Sequence, residues 1–329
     1  MGHLLLPVLR KRGHRVVALD INPLAPELAA HCVEFVEASV LDTERLSGIL
    51  RRHRPAQVFH LAAVLSTRAE QDPALAHAVN VDGTVGLMGL CADELTGSGR
   101  PPRFLYPSSI AVYGLPDSAT KKSAGAIKES EWNVPTGVYG CNKLYCELLG
   151  RYFSRDERGA RRLDFRSIRF PGLISAETVP SGGTSDYAPE MIHAAAQGKA
   201  YPCFVGPHTR MPFMTMVDAV TAFLDLAAAT EVDLTERVYN IRAFSPTAAE
   251  IRDRVVEVFP DAIVSFEPDE RRQAIVDSWP GDVDDGRARE DWGFTPRHGL
   301  DEAVRDYLLP ALRERYGTEV AAPRTDPLR

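Results

Sequence analysis

RFLYPSS (Arg103–Ser109) and GVYGCNKLYCELLGRYFS (Gly137–Ser154) decide how this chain reads. The first is a short apolar and aromatic run that ends on two hydroxyls, which predicts a buried strand. The second has helical spacing and places Tyr139 and Lys143 four residues apart, on one helix face. An ammonium beside a phenol favours the phenolate and lowers its pKa, which suits the phenol to general-base work. Of the ten tyrosines, Tyr139 alone has a lysine at this spacing. Ser109 closes the preceding strand, where its hydroxyl can hold a substrate oxygen, and its neighbour Ser108 can share that role. Read without each other, the same residues also fit a strand end with its turn and a tyrosine packed over a lysine stem.

Outward from this pair the first half alternates strand and helix patterns. Leu4 to Arg12 reads as a helix that stops at Gly13. Arg15–Asp20, Val33–Ala38 and Gln57–Ala63 read as strands, Pro73–Leu95 as a helix with a turn at Gly97–Pro102, and Asp164–Ile174 as one further strand. Such alternation predicts an α/β protein with a doubly wound parallel sheet, helices on both faces and ligands at the carboxyl ends of the strands. The pattern changes after Pro171. Pro180–Pro189 is a Gly- and Ser-rich loop, Asp218–Ala229 and Thr247–Phe259 are helical, and Val238–Arg242 rejoins the sheet. The expected division is a dinucleotide-binding domain over 1–171, with 208–241 returning to it. A substrate lobe takes 172–207 and 242–319, and 320–329 form a tail.

Composition excludes several classes of partner. The 329 residues are 44% apolar and 25% charged, with net charge −7 and pI about 5.8. An acidic balance argues against nucleic acid and membrane surfaces. Arg51-Arg52-His53-Arg54, the densest basic run, reads as a helix end. No apolar stretch reaches the roughly 20 residues of a membrane span. Cys32, Cys91, Cys141, Cys146 and Cys203 are scattered, without a CxxC pair or an HExxH motif. That pattern predicts neither disulfides nor a metal site, and a reducing cytoplasm. Cys141 and Cys146, which flank Lys143, read as small hydrophobes.

YPSSIAVYG (Tyr106–Gly114) followed by VYGCNK (Val138–Lys143) resembles the paired catalytic segments of the extended short-chain dehydrogenases/reductases, the NAD-dependent epimerase/dehydratase superfamily. The resemblance implies a Rossmann-like fold, Ser109 as the catalytic hydroxyl, Tyr139 as base and Lys143 as its helper. Asp20 ends the second strand of that fold, where a carboxylate can bond both ribose hydroxyls of NAD and repel a 2′-phosphate; as a bland reading it is a turn cap. His60-Leu61-Ala62-Ala63 resembles the segment that passes the nicotinamide ribose, and His60 itself reads as structural rather than catalytic. Gly2, Ile21, Val40, Asn80 and Phe170 complete the positions the resemblance places along NAD. HLAAVLSTRAEQDP (His60–Pro73), RFPGLISAETVPSGGTSDYAPEMIHAA (Arg169–Ala195), RMPFMTMVDAV (Arg210–Val220) and FEPDERRQAIVDSWPGDVDDGRAREDWGF (Phe266–Phe294) resemble the branch of this family that oxidises L-threonine at C3. In that branch Ser66, Thr184 and Trp279 surround the amino acid. A homodimer paired through the helix bearing Tyr139 is implied by resemblance as well.

The chain also departs from the family. Gly2 matches the last glycine of the usual GxxGxxG loop and Leu4–Arg12 the helix after it, while the strand and two glycines before them have no counterpart. The expectation is an incomplete sequence or misplaced start. The missing strand would lie between those ending at Asp20 and Ala63, leaving two interior edges unpaired. Ser39 stands where many relatives have Asp, and the segment 114–135, with Lys121, Lys122 and Lys128, is long. The competing expectations are a nucleotide-sugar epimerase or dehydratase and a non-catalytic relative. Against the first, Ser109 is followed by Ile110-Ala111 rather than Asp-Glu, and Arg169–Gly172 lacks an Asn. Against the second, a binding module has no use for an intact Ser109, Tyr139 and Lys143.

Overall fold

The computed structural model describes residues 1–95, 100–180 and 183–317. The expected tail, part of the Gly97–Pro102 turn and residues 181–182 near the start of the Pro180–Pro189 loop lie outside them. Helix α1 (Gly2–Lys11) buries Leu5 and Leu9 and closes at Gly13, whose φ of +85° only glycine adopts without strain. Strands β1 (Val17–Asp20) and β2 (Glu34–Glu37) pair in parallel, with Val17 opposite Glu34 and Asp20 opposite Glu37. Helix α2 (Thr43–His53) leads to β3 (Gln57–Phe59), shorter than the sequence suggested because residues 60–63 run on as irregular chain. Helix α3 (Ser66–Gln71) and the long helix α4 (Pro73–Glu94), which contains a π turn at Ala78–Asp82, precede β4 (Arg103–Ser109).

α4 corrects one expectation. Its 22 residues are long and apolar enough to cross a membrane. It lies instead against α2 and the later helix that carries Tyr139, with Leu87, Met88, Cys91 and Ala92 buried. It is a core helix by its packing.

Helix α5 (Ser118–Ala124) and strand β5 (Ala126–Ile127) form the 114–135 segment, and α6 (Val138–Phe153) carries Tyr139 and Lys143. β6 (Asp164–Phe170) is buried along its whole length. Its alternation sends Phe165, Ser167 and Arg169 toward α6, while Arg166 and Ile168 face the helix on the other side. The expected strand Asp164–Ile174 is broken at Pro171, which has no N–H for the ladder. The chain there switches sheets, and β7 (Gly172–Ile174) pairs with β9 (Phe213–Thr215).

Helix α7 (Tyr187–Ala196) and β8 (Tyr201–Cys203) follow. After β9, helix α8 (Met216–Ala228) packs back on β6, and β10 (Val238–Asn240) extends the main sheet. The chain then forms α9 (Ala248–Val258), β11 (Val264–Phe266), α10 (Glu270–Ser278) and β12 (Asp282–Val283). Thr247 caps α9 through a reciprocal box with Glu250. Tyr187, Met191, Phe204, Phe213 and Trp279 are buried together in one core, which also takes in Ile110, Val112 and Tyr113. The long 114–135 segment is tied to it: β5 pairs with β12, and Lys121 Nζ donates to the Val276 carbonyl at 2.8 Å.

The main sheet runs β3–β4–β6–β10, all parallel, while β1–β2 stands as a separate pair. Among the described residues no strand lies between β1 and β3. α1 bridges the two pieces by side chains: Leu5 and Leu9 pack with Val16, Phe59 and Leu61 and with Val220 and Leu224 of α8.

Candidate active site

Tyr139, Lys143 and Glu147 project at i, i+4 and i+8 from α6 toward the carboxyl end of β4. Lys143 is 2% exposed; its Nζ donates to the Pro107 carbonyl at 2.7 Å and lies 4.4 Å from the Tyr106 ring centre and 5.5 Å from that of Tyr139. Burial pushes its ammonium down to about 8, against the pull of the Cys146 and Glu147 side chains. Burial drives the Tyr139 phenol upward, not downward as the sequence suggested. The reason is geometric, since the ammonium is committed to Pro107 rather than to the phenol oxygen.

The two serines that close β4 separate cleanly. Ser109 Oγ accepts the Ala111 N–H at 3.2 Å and its side chain stays partly exposed, so its own proton remains available. Ser108 is buried and donates to Glu147 Oε1. Arg169 holds the same carboxylate through Nε at 2.9 Å and Nη2 at 2.7 Å. This network lies beneath the site and removes Ser108 from the expected substrate contacts.

Above the helix start is a small, partly open cleft. It brings together Tyr139, Ser66, Thr184 and Trp279, which the sequence nominated separately. Ser66 and Thr184 hydroxyls stand 3.3 Å apart. The Thr184 loop is fixed by Arg272, which donates to the Gly183 carbonyl at 3.0 Å, and by Asp186, which accepts the Gly183 N–H at 2.7 Å. The sequence reading missed Glu70, Ala111, Gly137, Gly140 and Ile275, which complete the lining. Of these only the glycine directly after Tyr139 carried a signal, since a helix start that closely packed admits no side chain.

The residues expected along NAD divide into two groups. Asp20 is exposed; its Oδ1 accepts the Asn22 N–H at 2.9 Å, and Oδ2 has no partner among the described residues. Ile21 beside it is 67% exposed. α1 opens without a side-chain cap, and Gly2 faces Leu61. Ala62 is exposed and Ala63 partly so. An exposed carboxylate at one end and Lys143 with Tyr139 at the other fit a dinucleotide. The second group supports the first from behind. His60 is buried on the Thr84 hydroxyl at 2.8 Å, and burial pushes its imidazole down to about 3. Asn80 is likewise buried, accepting the Val64 N–H at 2.7 Å and donating to the Val64 carbonyl at 3.0 Å. Val40 packs against Gly83, and Phe170 stacks edge-on with Phe223 in the core. These four side chains shape the loop and sheet rather than face a ligand. Among the described residues no cluster of three or more His, Cys, Asp or Glu is placed to hold a metal.

A parallel sheet, a carboxylate at the end of β1 and a serine, tyrosine and lysine at the end of β4 define a nicotinamide-dependent oxidoreductase of the extended short-chain class. The pattern of the NAD dependent epimerase/dehydratase family matches residues 1–241, and the chain belongs to that family. Within it the chain is similar to L-threonine 3-dehydrogenases. It is 34% identical over 310 residues to the mitochondrial L-threonine 3-dehydrogenase of Bos taurus, spanning 94% of this chain and 79% of that one. A partial consensus L-threonine 3-dehydrogenase superposes with a TM-score of 0.84 at 35% identity, covering 96% of both chains. A monomeric L-threonine 3-dehydrogenase from a metagenome superposes with a TM-score of 0.83 at 31% identity, again over 96% of both.

Proposed function

We propose that this chain oxidises the C3 hydroxyl of L-threonine, or of a similar small hydroxy acid, with NAD as oxidant and Tyr139 as base. The observation that carries the reading is the cleft in which Tyr139 meets Ser66, Thr184 and Trp279. NAD, when bound, supplies the hydride acceptor. Tyr139 Oη takes the hydroxyl proton while Ser109 Oγ holds the same oxygen. The C3–H bond breaks with its electron pair, the C3–O bond becomes a carbonyl, and the product is 2-amino-3-oxobutanoate. Lys143 keeps its charge below about pH 8, and that charge, 5.5 Å from the Tyr139 ring centre, works against the burial that drives the phenol upward. The Ser66 and Thr184 hydroxyls donate to the substrate carboxylate, and Trp279 closes the cleft on its apolar side.

The test is threonine-dependent reduction of NAD by wild type and by Tyr139→Phe, with NAD affinity measured in parallel. The variant should lose at least about 100-fold in kcat and little in NAD affinity. Near-full activity in Tyr139→Phe refutes the mechanism. Turnover of a nucleotide sugar, with none of threonine, moves the chain to the epimerase or dehydratase reading.

Tyr145, Leu148 and Tyr152 form an exposed stripe along α6, 45–57% exposed, which supports pairing of two copies through this helix. Sedimentation at two concentrations decides between that dimer and a monomer. The scattered cysteines favour a reducing compartment, the cytoplasm by default.

A further inference from the structure

We propose that Glu70 reads the ammonium group of the substrate and so sets the preference for a hydroxy amino acid over the corresponding hydroxy acid. The inference rests on the function proposed above and deepens it. Glu70 comes from α3 and lines the same cleft as Tyr139. Among the described residues that line it, Glu70 carries the one formal charge; the others are hydroxyl-bearing, aromatic, aliphatic or glycine. A cleft with hydroxyl donors on one side and a lone carboxylate on another is complementary to a zwitterion.

The carboxylate is half committed. Glu70 Oε1 accepts the Val138 N–H at 2.7 Å, the first amide of the catalytic helix. No cation pairs with Glu70 among the described residues, so its second oxygen is free for a ligand. Gly137 makes the approach feasible, since a Cβ there would sit 2.8 Å from Oε1. The tether also fixes register. Val138 adjoins Tyr139, so one helix start positions both the proton acceptor and the carboxylate. The two substrate groups they address, the C3 hydroxyl and the C2 ammonium, are likewise on adjacent carbons.

A helix cap alone would account for the Val138 contact, and the experiment separates the two roles. Glu70→Gln keeps an oxygen for the Val138 N–H and removes the charge. Wild type and Glu70→Gln are compared with L-threonine and with 3-hydroxybutyrate, which lacks the amine, at saturating NAD. The variant should raise KM for threonine about tenfold, the size of one charge-assisted bond. It should leave KM for NAD and turnover of 3-hydroxybutyrate unchanged, so that the preference between the two substrates collapses. Calorimetric titration of both ligands into both proteins, with NAD present, gives a second readout that needs no turnover. Wild type that turns over threonine while Glu70→Gln keeps the same preference overturns the inference and leaves the proposed function standing. Loss of both substrates alike in Glu70→Gln also overturns it, in favour of the cap. Wild type that binds threonine more tightly than 3-hydroxybutyrate through Glu70, yet never oxidises it, upholds the inference and rejects the proposed function. A wild type that binds the two alike, or neither, overturns the inference.

Discussion

Replacing Gly140 by alanine tests whether the start of α6 is positioned as tightly as the site requires. A Cβ at Gly140 would lie 2.0 Å from the Ala111 carbonyl oxygen and 2.8 Å from Pro135 Cβ. A carbon rests at about 3.3 Å or more from such an oxygen, so the helix start must retreat by about 1.3 Å. Neither obstacle is the loose end of a flexible side chain. Tyr139 is the adjacent residue and moves with it. A misplacement of this order costs about 100-fold in rate, so kcat of Gly140→Ala should fall by that factor. Overpacking costs about 1–3 kcal/mol, set against up to about 1 kcal/mol gained from helix propensity. Gly86 supplies the control, being also inside a helix but with nothing within 4 Å of the position a methyl would take. Gly86→Ala should therefore stabilise by about 0.5–1 kcal/mol and leave turnover alone. Steady-state kinetics and thermal melts of both variants read the two effects. A Gly140→Ala enzyme that melts higher than wild type with undiminished kcat refutes the reasoning.

Two other outcomes follow from the geometry. Asp20→Ala should weaken NAD binding and narrow the gap between NAD and NADP, read as the ratio of kcat/KM for the two cofactors; a wild type that prefers NADP contradicts the role of Asp20. His60 lies about 3 in the folded chain, below its ordinary 6.5, first because it is buried and second because Lys143 is near. The unfolded chain therefore binds the extra proton first as pH falls, so stability is complete above 6.5 and drains away between 6.5 and 3, by about 2 kcal/mol at pH 5. Urea midpoints at pH 7.5 and pH 5 should show this loss in wild type and a smaller one in His60→Gln; equal pH dependence in both dismisses the histidine as its source.

The sequence was most legible where local pattern and burial agree. Arg103–Ser109 is a strand over the same residues in the structure, and Gly137–Ser154 differs from the observed helix by one residue at each end. Both are central elements whose apolar spacing leaves one reading. The strand after residue 164 was overextended because apolar content hid the effect of Pro171, whose missing N–H diverts the chain into another sheet. Ser66, Thr184 and Trp279, which line the cleft, were nominated by likeness to a family, since nothing local marks a loop hydroxyl as functional. Glu70 was not nominated because its place in the cleft depends on α3 meeting the start of α6, a contact that helical spacing does not encode. Ser108 was misassigned for the same reason: its partner Glu147 is 39 residues away.

The division of the sheet has a mechanical consequence for the cofactor cleft. β1 and β2 exchange main-chain bonds with each other and none with β3. The carboxylate of Asp20 therefore sits on a two-stranded raft, while Tyr139 and Lys143 sit over a four-stranded slab. Among the described residues Leu5 and Leu9 of α1 pack between the two, beside Val16, Phe59 and Leu61. The packing of these two leucines therefore helps to set the distance between the two ends of the cleft. Shaving those leucines loosens the grip on an extended ligand without touching a single atom that would contact it.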